Sequence, residues 1–295
     1  MTSGEGDAGG RLFRENLHGV DPVAAVMEAD ARRSIAAYPE LVLVGSLFTS
    51  AERVPAGWQI LCPCDPVTQG ARELLADHLD DRASLTEGGR GRELRAAARN
   101  LRLEPLDELR SAGRRFRIIR VDQLVRSGPD GPEPPRPTDL DPHPHDARSR
   151  YPRPYELLPD GLPDPDIASA ALLTRLLEPT PLDPEHDQVT PVLLAPAFTV
   201  AERIQGRWCP VGRQHETPQQ ARDSLATYFR HVVPAIECPS AETRAEYAEA
   251  ADSISDVTRR NGITVAGRRF RVVRIERAAL SGPDGPEPPR PTDPH

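Results

Sequence analysis

Arg114-Arg115-Phe116-Arg117-Ile118-Ile119-Arg120, running on into Ser127-Gly128-Pro129-Asp130-Gly131-Pro132-Glu133-Pro134-Pro135-Arg136-Pro137-Thr138-Asp139, decides the reading of this chain because it occurs twice. Arg268-Arg269-Phe270-Arg271-Val272-Val273-Arg274 repeats the first part, and Ser281 to Asp293 is identical, residue for residue, to Ser127 to Asp139. A self-similar chain is read for its repeat before its fold. Other anchors fall into line around this one. Asp21-Pro22 corresponds to Asp164-Pro165, and Phe48-Thr49-x-Ala51-Glu52-Arg53 corresponds to Phe198-Thr199-x-Ala201-Glu202-Arg203. The two tryptophans of the chain, Trp58 and Trp208, occupy matching places.

These anchors divide the 295 residues into a disordered leader (1–20), a first α+β repeat (21–139), a linker rich in Pro, Asp and His (140–163), and a second α+β repeat (164–295). Each repeat opens on a helix. Asp21 suits an N-cap and Pro22 the first helical position, with Val23, Val26, Met27 and Ile35 on one face. The second copy places its helix between Asp164 and Pro179, and the segment Pro181–Asp187 reads as an inserted loop. Strands over 41–48 and 192–198 follow. Turn residues at 55–57 and 205–207 then predict hairpins leading into Trp58 and Trp208. Helices come next, with Thr68 and Thr217 as N-caps, and further helices over 92–101 and 241–260.

In the signature strand, alternation puts Phe116, Ile118 and Arg120 on one face and Arg117, Ile119 and Val121 on the other. That pattern predicts a strand covered on one side and partly wet on the other, its arginine stems lying on apolar surface. Pro129, Asp130 and Gly131 fit a type I turn, and Glu133 to Pro137 an extended polyproline segment. The trailer at 127–139 could be read as a spacer, but its second copy at 281–293 joins nothing. Its identity between copies whose helices diverged assigns it a task common to both: packing across its own copy's sheet, or presenting Glu133, Arg136 and Asp139, and Glu287, Arg290 and Asp293, to a partner.

Composition removes several function classes. The formal charge of −8 opposes a protein built to coat nucleic acid. All 37 basic residues are arginine, so chemistry on a lysine amine is excluded. With Pro, Ala and Asp abundant, that usage points to a GC-rich genome. No apolar run reaches a membrane span, the N-terminus lacks a signal-peptide pattern, and four cysteines are too few for a disulfide scaffold. The expected compartment is a reducing cytoplasm. Cys62-Pro-Cys64 has the wrong spacing for a zinc site, and its counterparts are Gly212 and Gln214. His143 and His145 lie in the linker. No metal, cofactor or catalytic residue is assigned, since no nucleophile elbow or phosphate loop is present. Glu52, Glu202 and His78 remain as carboxylate and imidazole groups, with Glu52-Arg53 and Glu202-Arg203 read as ion pairs.

The repeated arginine strand with its Gly-Pro-Asp-Gly-Pro-Glu-Pro-Pro-Arg-Pro-Thr-Asp trailer resembles a family of uncharacterised cytoplasmic proteins from high-GC, mycelium-forming bacteria. The resemblance covers both copies and implies no activity, cofactor or catalytic residue. The resulting expectation is two α+β units, each a small, mainly antiparallel sheet flanked by helices, arranged as an intramolecular pseudo-dimer about an approximate two-fold axis. A non-enzymatic binding or scaffold protein, with a protein partner, would place its site between the units. The candidates are Arg115, Arg117, Arg120, Arg269, Arg271 and Arg274 with Glu133, Arg136, Asp139, Glu287, Arg290 and Asp293, and Trp58 and Trp208 as anchors or stacking platforms. The alternatives are a small-molecule binder or enzyme with a carboxylate/arginine pocket, and a nucleic-acid-associated protein whose Arg strands line one groove.

Overall fold

The computed structural model describes residues 22–55, 57–142, 157–158 and 190–295. The leader, the helix expected over 164–179 and the loop at 181–187 lie outside them, as does Asp21. The fold is mixed α+β, with helices packed on one antiparallel sheet. Helix α1 (Pro22–Ala37) leads into the hairpin of β1 (Glu40–Val54) and β2 (Gly57–Ile60). Helices α2 (Thr68–Ser84) and α3 (Gly88–Leu103) follow, then β3 (Glu108–Ser111), the signature strand β4 (Arg114–Gly128) and β5 (Gly131–Pro132). A short β6 (Leu157–Leu158) falls inside the expected linker and pairs with Trp58 and Gln59. The second half then runs β7 (Thr190–Ile204), β8 (Arg207–His215), α4 (Pro218–Thr227), a π-helical turn (Tyr228–Val232), α5 (Val233–Glu237), α6 (Ala241–Ile254), β9 (Gly262–Val265), β10 (Arg268–Gly282) and β11 (Gly285–Pro286).

The strands order as β6-β2-β1-β4-β10-β7-β8, with β3 and β5 also on β4 and β9 and β11 also on β10. The two signature strands therefore meet at the centre. They cross antiparallel over three residue pairs only, Glu276 with Leu124, Arg277 with Gln123, and Ala278 with Asp122. Each is paired along its other side by a fifteen-residue strand, β1 or β7. The expected single arginine groove is not formed. Because the crossing lies near the middle of both strands, Arg115 and Arg269 sit at opposite ends, roughly 50 Å apart at the usual rise per residue.

Phe48, Leu75, Leu79, Leu94, Leu101, Phe116 and Ile118 form a core between β1, β4 and helices α2 and α3. Phe198, Leu225, Phe229, Tyr247, Ile254, Phe270 and Val272 form the corresponding core in the second half. A third cluster, with Trp58, Ile119, Val121, Leu194 and Ala279, spans the centre of the sheet. All six residues Phe116 to Val121 are buried, so β4 is covered on both faces rather than wet on one.

Other local expectations change for identifiable reasons. Thr68 is the first helical residue rather than the cap, and Asp65 Oδ1 instead accepts the Val67 amide at 2.9 Å. Thr217 does cap α4, accepting from the Gln220 amide. Helix α6 stops at Ile254 instead of residue 260, and Asp256 Oδ1 takes the Thr258 amide in the turn that follows. Helix α1 forms over the expected span but turns Val26 and Met27 to solvent. Its buried positions are Asp30 and Ser34. Apolar periodicity pointed to the wrong face because this helix packs on ionic groups.

Phe116 and Phe270 are 0% and 1% exposed, and Phe270 meets Phe229 edge-on at 5.0 Å. Phe116→Ala and Phe270→Ala are each expected to lower stability by about 3–5 kcal/mol in a denaturant melt. A loss below about 1 kcal/mol would place the ring outside a packed core.

Candidate functional site

The two trailers create the central seam, and each is built into the opposite half. After β4 the chain turns at Pro129-Asp130 and comes back beside its own strand, where the Glu133 amide donates to the Arg126 carbonyl at 2.8 Å. The Glu133 carbonyl then accepts the Arg274 amide of β10 at 2.9 Å. The second trailer does the converse. The Glu287 amide donates to Leu280, and the Glu287 carbonyl accepts the Arg120 amide of β4 at 2.9 Å. Each glutamate backbone thus fills the wedge that opens where the two signature strands diverge. Packing of each trailer on its own half accounts for only half of these bonds.

Glycine is required at the trailer turns. Gly131 and Gly285 have φ of +106° and +102°. A Cβ on Gly131 would lie 2.2 Å from Trp208 Nε1, and one on Gly285 would lie 2.3 Å from Trp58 Nε1. Each tryptophan therefore clasps the turn of the opposite half's trailer. Arginines stand over both rings. Arg115 and Arg117 stand 5.2 and 5.0 Å from the Trp58 ring centre, and Arg269 and Arg271 stand 5.7 and 5.1 Å from that of Trp208. Arg117 Nη1 donates to the Asp284 and Pro286 carbonyls at 3.1 and 3.0 Å, and Arg271 Nη1 to the Pro132 carbonyl at 2.9 Å.

The trailer side chains lock the far end. Asp139 closes a turn on the Arg136 amide and also accepts from Arg274 Nε at 3.0 Å. Asp293 does the same with the Arg290 amide and lies 3.4 Å from Arg120 Nε. Around the first trailer the network is dense. Arg136 bridges Glu133 and Glu276, Ser34 Oγ of α1 donates to Glu133, and Thr138 Oγ1 donates to Asp30 at 2.6 Å. Burial opposes ionisation of Glu276, yet Arg274 and Arg136 together hold its carboxyl below the ordinary range. Around the second trailer the network is thinner: Arg290 is 42% exposed, against 12% for Arg136. Beyond the trailers, Asp141 pairs with the buried Arg222 at 2.6 Å, and the Pro294 carbonyl accepts the Thr68 amide at 3.1 Å.

Nine of the twelve expected charged site residues are therefore bonded or paired across the seam; Arg290 pairs within its own trailer, and Arg115 and Arg269 stand over the tryptophans. Glu52 takes an arginine from the signature strand and another from α2, and Glu202 one from the signature strand, rather than their sequence neighbours. Arg82 and Arg114 reach Glu52, and Arg268 reaches Glu202 at 2.7 Å. Arg53 instead stands over Trp58 at 5.7 Å. Glu202 raises the Arg268 guanidinium above its usual range despite partial burial.

Residues that sequence reasoning missed include Ser34, Asp30 and Glu276, which carry no motif, and Glu108. The Glu108 carboxylate bridges both arginines over Trp58. Arg115 Nε and Nη2 donate to it at 2.6 and 3.0 Å, and Arg117 Nε and Nη2 at 3.0 and 2.6 Å. In β9 the place is taken by Gly262, since Gly262 pairs with Arg271 as Glu108 pairs with Arg117. Beside it an open groove of about 430 Å³ is lined by Pro134, Gly262, Thr264, Arg269 and Arg271.

Arg115, opposed by partial burial and aided by Arg117, pulls the Glu108 carboxyl from 4.5 down to about 2. A carboxyl depressed in the folded state contributes stability above its unfolded value and loses that contribution as pH falls through the folded one. In urea melts, the stability gap between wild type and Glu108→Gln should be constant above pH 4.5 and close as pH falls to about 2. A gap that does not change over that range would contradict the bridging carboxylate.

No helix among the described residues is long and apolar enough to cross a membrane. Comparison with curated proteins and with solved structures returned no match. Residues 21–295 match a family described as a family of unknown function (DUF5954), which takes in both halves, both tryptophans and both trailers. The chain belongs to that family.

Proposed function

We propose that the protein is a non-enzymatic binding module, a tandem duplication folded as an intramolecular pseudo-dimer, with its binding surface at the seam between repeats 21–139 and 164–295. One observation carries this reading: each trailer is bonded to the other half's signature strand, through Glu133 to Arg274 and through Glu287 to Arg120. The β4–β10 register supports it. Leu124 and Ala278 occupy matching places in the two copies, as do Asp122 and Glu276, and the pairs formed are symmetric about Gln123–Arg277. A duplicated unit that keeps the exchange of a homodimer would look like this.

The reading disfavours nucleic acid. Arg117, Arg120 and Arg274 are each less than a tenth exposed and face trailer carbonyls or carboxylates. A backbone reader needs its guanidiniums free for phosphate. A cytoplasmic, bacterial home remains part of the proposal, supported by the arginine-only basic usage and by four cysteines that are all free thiols.

Removing Ser281–His295 tests the exchange. Hydrogen exchange should show the larger loss of amide protection in the first half, at Arg120 and around Trp58 and Thr68. Loss confined to β10 and its neighbours in the second half would overturn the reading.

A further inference from the structure

The two halves differ at one place where the first supplies its own ligand. Over Trp58, Glu108 presents a carboxylate to the Nε and Nη2 atoms of both Arg115 and Arg117. Over Trp208, the same pair of guanidiniums is present as Arg269 and Arg271, in the same register on the same ring. Gly262 stands in the place of Glu108, and the open groove of about 430 Å³ lies beside it. Among the described residues no carboxylate forms an ion pair with Arg269 or Arg271. The Arg271 hydrogen bond to Pro132 uses Nη1, leaving the Nε and Nη2 edge that Arg117 gives to Glu108.

We propose that the Arg269–Arg271 pair on Trp208 is a binding site for a carboxylate-bearing ligand, which takes the place that the Glu108 side chain fills in the first half. The guanidinium fork matches a carboxylate with two parallel hydrogen bonds, so a pair of forks specifies this group more closely than a point charge could. The groove lies within the volume range of small-molecule sites. Burial, and the neighbouring Arg269, push the Arg271 guanidinium below its usual range, while Tyr38 and Asp130 favour its charge. An arriving anion would offset that residual repulsion. Pro134 of the first trailer forms one wall, so the ligand would sit against both halves. This inference rests on the equivalence of the halves proposed above.

The reciprocal exchange of residues tests it in the full chain. Gly262 has no positive φ, and a Cβ there meets only the Phe270 carbonyl, at an ordinary 3.5 Å, so Gly262→Glu is tolerated by the backbone. Binding would be read by calorimetry and tryptophan fluorescence with three probes: glutarate, a short glutamate-rich peptide and inorganic phosphate. Wild type should bind a carboxylate probe saturably at one site. Gly262→Glu should abolish binding and raise the melting temperature by supplying the carboxylate internally. Arg269→Gln should weaken binding about tenfold or more, and Glu108→Gly should open a second site. Preference for glutarate would assign a free organic acid, and preference for the peptide an acidic side chain.

No saturable carboxylate binding up to roughly 10 mM, unchanged affinity in Gly262→Glu, or selection of phosphate over both carboxylates would overturn the proposal. If Gly262→Glu raises the melting temperature while wild type binds nothing, the site fails and the equivalence of the halves survives. If it does neither, both fail.

Discussion

Two backbone residues, Glu133 and Glu287, carry the constraint on which the rest depends. β4 and β10 touch over three residue pairs and then diverge, leaving unpaired amides at the centre of a sheet. Buried backbone donors must find acceptors. Each glutamate carbonyl supplies one, reaching from one half into the other. Once that carbonyl is fixed, the trailer has few conformations left. Its glycine must lie under the opposite tryptophan, and its aspartate must close the turn onto the opposite arginine.

This explains why thirteen consecutive residues are identical in the two halves while the helices differ. Gly131, Glu133, Arg136 and Asp139 meet fixed partners on the opposite half, as do Gly285, Glu287 and Asp293, whereas a helix needs only an apolar stripe of suitable volume. The arginines of the signature strands then read as clamps. Burying them is costly unless each is paired and hydrogen-bonded, and the trailers carry the acids, Asp293 and Asp139, that pair Arg120 and Arg274. One difference between the halves is informative for the same reason: where the first half has Glu108 the second has Gly262, so the pair of arginines is present without its acid.

Much of the fold was legible in the sequence. The strand-turn-trailer unit and the two hairpins follow from period, turn residues and the likeness of the two halves, and the anchor reading of Trp58 agrees with its burial. The partner of each trailer did not. An identical segment in each half fits its own sheet or its neighbour's equally well on sequence grounds, and only the divergence of β4 from β10 distinguishes them. The inward face of α1 was misread because Asp30 and Ser34 face an ionic network, which hydrophobic periodicity cannot detect. Glu108 could have been found by setting the two halves side by side at the signature strand, where it faces a glycine. The arginine motif drew attention to residues that are present rather than to the one that differs.

Nuclear Overhauser contacts between the two indole N–H protons and selectively labelled glycines test the exchanged arrangement most directly. Trp58 should show its contact with Gly285, and Trp208 with Gly131. Contacts of Trp58 with Gly131 and of Trp208 with Gly285 would put each trailer back on its own half and contradict the account.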